Sequence, residues 1–275
     1  MNVLSEQDGN DYILENLKHK IDICVGRVGV LELNCLFWFL SQKQTPPFLS
    51  GMLANNAGVY GDCLNEWYML YSNGLSGCDA NVLWQDPDLN MKSKIVLGAV
   101  SPKSVKLSHR SVEPFYFKNP WSYGLKDKKV LVVSPFADTI SSQFKIKDKL
   151  WRNPEVLPDF DLITYKNVQS IGNSGPDENW SASLKRMQKD ISKLDFDVAI
   201  LGCGAYGVPL ASYIKNTLSK SAIYVGGGLQ ILFGIKGKRW DNHDIIQTMY
   251  NEHWARPSVQ ETPIDSSSVE NGCYW

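Results

Sequence analysis

The chain has 275 residues, 43% of them hydrophobic, with nine tryptophans and twelve tyrosines, a make-up that excludes a disordered chain and can bury about three quarters of its unfolded surface. Lys and Arg number 28 and Asp and Glu 29, a net charge of −1, so no long-range field gathers nucleic acid and any anion site has to be local. The start lacks a signal peptide's basic and apolar regions, and no apolar run approaches the ~18 residues of a membrane span; the expectation is a cytoplasmic protein with no transmembrane segment, at most in peripheral contact with a membrane surface.

Residues 1–20 carry a helical pattern through Ile13, Leu14 and Leu17. Ile21–Val25 reads as a strand, and Gly26 to Gly29 as a turn into a helix that runs through Leu40 and is apolar nearly all round. Its exception is Glu32, in the first turn. There a carboxylate is favoured by the helix dipole, and there too, with Arg27, it faces the crevice where open α/β sheets bind ligands; capping and a working role both fit. Pro46-Pro47 reads as the end of this unit, Asp62 as the cap of a helix carrying Trp67, Tyr68 and Tyr71, and Val82 to Trp84 as a short apolar piece closed by an Asp86-Pro87-Asp88 turn. Residues 90–112 have no clear period. The aromatic loop from Glu113 to Trp121 fits a core seal better than a pocket wall.

The texture changes after Lys126. Lys129–Val133 is the clearest strand, followed by a polar turn and a helix over Thr139 to Trp151. Asp161–Tyr165 is the next strand, Gly172 to Asn179 a polar loop, and Leu184, Met187, Ile191 and Leu194 mark a helix leading to a buried strand at Val198 to Leu201. Beyond the Gly202–Gly207 turn, Leu210, Tyr213, Ile214 and Leu218 give another helix, and Ala222–Val225 the return strand. From Lys129 the order is therefore βαβαβαβ, which predicts an α/β protein with a Rossmann-like parallel sheet flanked by helices. One domain is expected, with an N-terminal lobe over about 1–125 and a βαβ nucleotide-binding lobe over about 126–275.

Gly202-Cys203-Gly204-Ala205-Tyr206-Gly207 matches G-x-G-x-x-G between a strand and a helix. That fingerprint also wants an acid about 20 residues on, at the end of the second strand, where Gly226, Gly227 and Gly228 stand instead. The turn then reads as close backbone packing or as phosphate contact. Downstream, Lys236, Lys238 and Arg239 lie beside glycine turns, where they fit either a solvated run or a local anion site. The six cysteines form no C-x-x-C pair and read as free buried thiols. The four histidines show no zinc spacing, Asp241 to Asp244 reads as helix capping, and neither a phosphate-loop motif nor a G-x-S-x-G elbow is present.

Several of these stretches, among them Phe117-x-Asn119-Pro120-Trp121, Val133-Ser134-Pro135-Phe136-Ala137, Val168-Gln169-Ser170, Gly226-Gly227-Gly228-Leu229-Gln230, Phe233 to Trp240 and Gly272-Cys273-Tyr274-Trp275, resemble a largely uncharacterised family from surface-polysaccharide loci. More distantly, Arg27-Val28-Gly29-Val30-Leu31-Glu32 is similar to the R-x-G-D-G-E opening of GT-D-fold glycosyltransferases, whose Asp-x-Glu serves a metal and nucleotide-sugar site. Arg27, Gly29 and Glu32 match; Val30 stands where the aspartate belongs. These resemblances imply a GT-D-like hexosyl- or pentosyltransferase of surface glycan synthesis that takes a nucleotide sugar, a UDP-sugar by preference, and a glycan acceptor with inversion. They also imply a divalent Mn or Mg, which Val30 puts in question. The expected working residues are Glu32 and Arg27, with Gly29, Gly202, Gly204, Tyr206, Gly207, Gly227, Gly228, Gln230, Lys236 and Arg239 around the nucleotide. An NAD(P)-type oxidoreductase and a non-catalytic nucleotide- or glycan-binding protein are the rival readings.

Overall fold

The computed structural model describes residues 2–263, 266–268 and 270–275. Short runs, mostly buried, form its strands: β1 (Cys24–Arg27), β2 (Ala80–Leu83), β3 (Val105–Ser108), β4 (Lys129–Ser134), β5 (Asp161–Lys166), β6 (Val198–Leu201) and β7 (Ser221–Tyr224). They make one sheet in the order β3-β2-β1-β7-β6-β4-β5, and every neighbouring pair is parallel. The main helices are α1 (Glu6–Lys18), α2 (Val30–Gln42), α3 (Pro47–Asn56), α4 (Leu64–Ser76), α5 (Pro87–Val100), α6 (Ala137–Phe144), α7 (Trp180–Ile191), α8 (Gly207–Leu218) and the short α9 (Gly228–Leu232).

A parallel sheet is buried on both faces, so alternate side chains of each strand enter opposite cores. In β4, Leu131 and Val133 pack in the core that holds Leu36 of α2, Trp67 of α4, Leu184 of α7 and Ile214 of α8. Val130 and Val132 pack in the other, with Ile13 and Leu17 of α1 and Ile140 of α6. The sequence order from Lys129 onward is the observed β4-α6-β5-α7-β6-α8-β7. All six cysteines are free and buried.

Four local expectations are corrected. Pro46-Pro47 does not close a unit; Pro47 opens α3, where its missing N–H costs nothing. Asp62 is exposed and Cys63 takes the N-cap of α4 without a side-chain bond. The Asp86-Pro87-Asp88 turn is the start of α5, with Asp86 accepting from the N–H groups of Asp88 and Leu89. The helix expected to reach Trp151 ends as α6 at Phe144 and gives way to a 3-10 turn at Lys147–Lys149.

The two predicted lobes share the sheet, β1–β3 coming from one and β4–β7 from the other, and they meet where β1 pairs β7. That seam is short, with Cys24 opposite Ala222 and Val25 opposite Ile223. Side chains extend it at both ends: the Ser221 hydroxyl accepts from Ile23 N–H at 3.2 Å, and Arg27 Nη1 donates to Val225 O at 2.7 Å.

The last part of the chain returns to the carboxyl edge of the sheet through one buried carboxylate. Glu261, 2% exposed, accepts from the N–H groups of Asp138 at 2.7 Å and Thr139 at 3.2 Å, and from the hydroxyls of Ser258 at 3.0 Å and Thr139. It thereby caps α6 from a distant segment, and its own carbonyl accepts from Trp275 Nε1 at 2.9 Å. Glu261→Ala is expected to cost about 1.5–3 kcal/mol in urea unfolding, because several donors lose a charged acceptor together. The exposed neighbour Glu252, replaced by Ala, should stay within about 0.5 kcal/mol; equal losses would show that the cap contributes nothing special.

Candidate functional site

Because the strands run parallel, their following loops all leave one edge of the sheet, and those after β1, β2, β4, β5, β6 and β7 line a single cleft of about 250 Å³. Neighbours β4 and β6 lead to opposite sides: α6 packs in one core and α8 in the other. A crevice opens between connections that diverge in this way, and open α/β sheets bind ligands there.

Arg27, at the end of β1, is the hub of the cleft floor. Besides Val225 O, its Nη2 lies 2.7 Å from His109 Nε2 and 3.8 Å from Glu113 Oε1. A guanidinium only donates, so His109 Nε2 accepts and the ring proton sits on Nδ1. Trp84 backs this group: its ring stacks on His109 with centroids 4.3 Å apart, and Arg27 Cζ lies 5.2 Å from its centroid. Burial, reinforced by the charges of Arg27 and Arg110, pulls His109 down from 6.5 to about 3. Burial pushes Glu113 up, against the pull of Arg27 and Arg110.

Glu32 lines the same cleft and is 5% exposed. Its carboxylate folds back over the N-cap of α2, so that a Cβ added to Gly29 would stand 2.1 Å from Oε2; no residue larger than glycine fits there unless the carboxylate moves. Burial first, and the Glu32 charge second, hold the phenols of Tyr71 and Tyr224 far above their ordinary range. One side chain thus belongs both to the first turn of α2 and to the cleft wall.

The glycines of the Gly202–Gly207 turn divide between packing and access. A Cβ on Gly202 would meet Gly226 O at 2.8 Å, and one on Gly207 the Tyr224 ring at 2.2 Å. The Tyr224 hydroxyl donates to Gly204 O at 2.8 Å, closing the turn with a side chain of the protein. Tyr206 is 2% exposed, stacks on Trp180 and shares a 2.7 Å hydrogen bond with Ser170. Gly204 alone combines exposure, a φ of +56° and open space beside its Cα.

Of the residues expected around a nucleotide, Gly29, Gly202, Gly204, Tyr206, Gly227, Gln230 and Arg239 line the cleft with Arg27 and Glu32. Gly207, Gly228 and Lys236 are not among its walls. Gly207 packs under Tyr224, a Cβ on Gly228 would face Glu113, and Lys236 lies with Nζ 5.3 Å from the Tyr250 ring centroid. Arg239 is held against the tail, its Nη1 donating to the Tyr274 hydroxyl at 3.1 Å and its Cζ 4.6 Å from that ring. Tyr274 and Trp275 line the cleft as well, as do Trp84 and Asn167; sequence reasoning assigned none of these four to the site.

Three cleft-lining residues carry a buried polar atom with no hydrogen-bond partner: Arg27 Nε, Asn167 Oδ1 and Gln230 Oε1. Buried polar groups are nearly always satisfied; six further atoms of this kind lie away from the cleft among the described residues, Trp67 Nε1 and Ser93 Oγ among them. Among the described residues no three His, Cys, Asp or Glu side chains gather as a metal cluster.

The His109 shift has a definite sign. Below its ordinary range the unfolded chain takes up a proton that folded His109 refuses, so this contribution to stability is complete above about pH 6.5 and is lost as the pH falls toward 3. Glu113 acts oppositely, its contribution falling as pH rises through its folded value. In His109→Gln, the urea midpoint is expected to fall less than in the wild type between about pH 6.5 and 4; identical slopes would place the acid sensitivity elsewhere. No family model, curated protein or solved structure matches this chain.

Proposed function

We propose that the chain is a nucleotide-sugar-dependent glycosyltransferase that inverts a UDP-sugar donor and builds a surface glycan. The observation that carries this reading is the meeting of one buried carboxylate, Glu32, with the guanidinium of Arg27 and three unsatisfied polar atoms in a crevice at the carboxyl ends of parallel strands. The resemblance of Arg27 to Glu32 to the GT-D opening lends it a reaction.

In that reaction an acceptor hydroxyl attacks the anomeric carbon, the bond to the phosphate oxygen breaks, and the diphosphate leaves with the electron pair. Glu32 takes the hydroxyl proton, and positive charge near the leaving group stabilises the departing oxyanion. Arg27 and Arg239 are the cationic side chains lining the cleft. The rings of Trp84 and Tyr274 suit a flat base. The dinucleotide reading has less support: the end of β7 carries no acid, and Tyr224 fills the turn where a dinucleotide would approach.

Titration with UDP, UDP-sugars and pyridine nucleotides tests this directly. UDP is expected to bind and the pyridine nucleotides not; the reverse would restore the oxidoreductase, and UDP binding with neither sugar transfer nor donor hydrolysis would leave a binding protein. Glu32→Gln should cut turnover about 10²–10⁴-fold with UDP affinity preserved. Arg239→Ala should weaken UDP by about 1.5–3 kcal/mol. Full activity of Glu32→Gln would leave Glu32 a helix cap.

A further inference from the structure

Ten large hydrophobic side chains are exposed among the described residues, and seven lie on α2, α3, α4 and α5. The concentration is sharpest on α3. Leu49 and Leu53 face inward from successive turns, while Phe48 and Met52, one position earlier in each turn, are 66% and 46% exposed. A helix apolar on both sides has a second apolar neighbour or medium. On α2, which packs against α3, Trp38 is 39% and Val30 40% exposed.

Charge is sparse within this face. From Leu33 to Gly61 no acidic residue occurs, and the one charged side chain is the exposed Lys43 at the junction of α2 and α3. Beside α2, Lys92 lies 5.9 Å from the Phe37 ring centroid and carries the adjoining Asp88 in an ion pair. Exposed aromatic and thioether side chains beside an exposed lysine, with the adjoining carboxylate of Asp88 held in an ion pair, match an anionic lipid surface: rings and methionine enter the acyl boundary and the Lys43 ammonium meets the phosphates.

We infer that the α2–α3 face docks on an anionic membrane. Docking of this kind is peripheral, since no helix among the described residues is long and apolar enough to cross a membrane. Its place bears on the cleft. Val30 and Leu31 at the start of α2, and Asn56 and Ala57 at the end of α3, line the cleft itself, so a docked molecule opens its site beside the bilayer. The acceptor that reaches it is then carried on a lipid, an assignment that rests on the glycosyltransferase reading, whereas the docking does not.

Vesicle co-sedimentation without nucleotide tests the docking. The full chain is expected to pellet with vesicles of phosphatidylcholine and phosphatidylglycerol, and less with phosphatidylcholine alone. Phe48→Ser combined with Met52→Ser should lower the partition constant about tenfold or more, and Lys43→Glu should lower it several-fold on the anionic vesicles only. A wild-type chain that stays in the supernatant with both vesicles overturns the inference. So does a chain that self-associates in sedimentation velocity and becomes monomeric in the double variant, because the face then belongs to a second copy. UDP titration of the double variant in solution should match the wild type; failure of the wild type to bind UDP would count against the glycosyltransferase reading and leave the docking result standing.

Discussion

The pairing of β1 with β7 is the constraint on which the rest of this structure depends. Two registered residue pairs join a three-stranded half to a four-stranded half, and the side chain of Arg27 lengthens that joint by bonding Val225 O. The same guanidinium touches His109 and Glu113, so the group that closes the sheet also organises the floor of the cleft. Gly226 belongs to this arrangement: its φ is +71°, and a Cβ there would stand 2.6 Å from Arg27 Nη1. Sheet closure and site formation share one set of contacts, and a change at Arg27 reaches both.

The cleft is built from sequence-distant pieces that each have a local reason to be where they are. Gly29 admits the folded-back carboxylate of Glu32, and Gly202 admits the carbonyl of Gly226. Gly207 admits the ring of Tyr224. A glycine-rich turn can thus satisfy a nucleotide fingerprint while most of its glycines answer to protein atoms. Gly204 alone among them is exposed, with open space beside its Cα.

Sequence pattern carried the second half of the fold further than the first. The run from β4 to β7 was readable because each strand is a short β-branched stretch and each helix has a periodic apolar stripe, as in α7 with Leu184, Met187 and Ile191. In the first half the helices blur their own period. Phe48 and Met52 on α3, and Met91 and Ile95 on α5, are apolar side chains on outward faces, so Pro46-Pro47 reads as an end where α3 starts, and most of α5 falls inside an unplaced stretch. Strand order was not readable at all, because a parallel neighbour is chosen by where the crossover packs and not by anything local. The same holds for the site. Arg27 and Glu32 stand in one short stretch, but Arg27 meets His109 across 82 positions, and nothing near either of these two residues announces the other.

The order of the strands also fixes an order of events in time. Ile23 and Ser221, which bond at the seam, are 198 positions apart, and at about 5–20 residues per second the partner of β1 leaves the ribosome some 10–40 seconds after β1 itself. Through that interval β1, β2 and β3 can pair only among themselves, and the flank of β1 is an unpaired, apolar strand edge of the kind that captures other chains. Closing so long a loop adds an entropic barrier that local contacts do not offset in advance. The N-terminal half is therefore the part of this protein that most needs a chaperone during synthesis, and truncations ending before β7 are expected to aggregate instead of yielding a folded lobe.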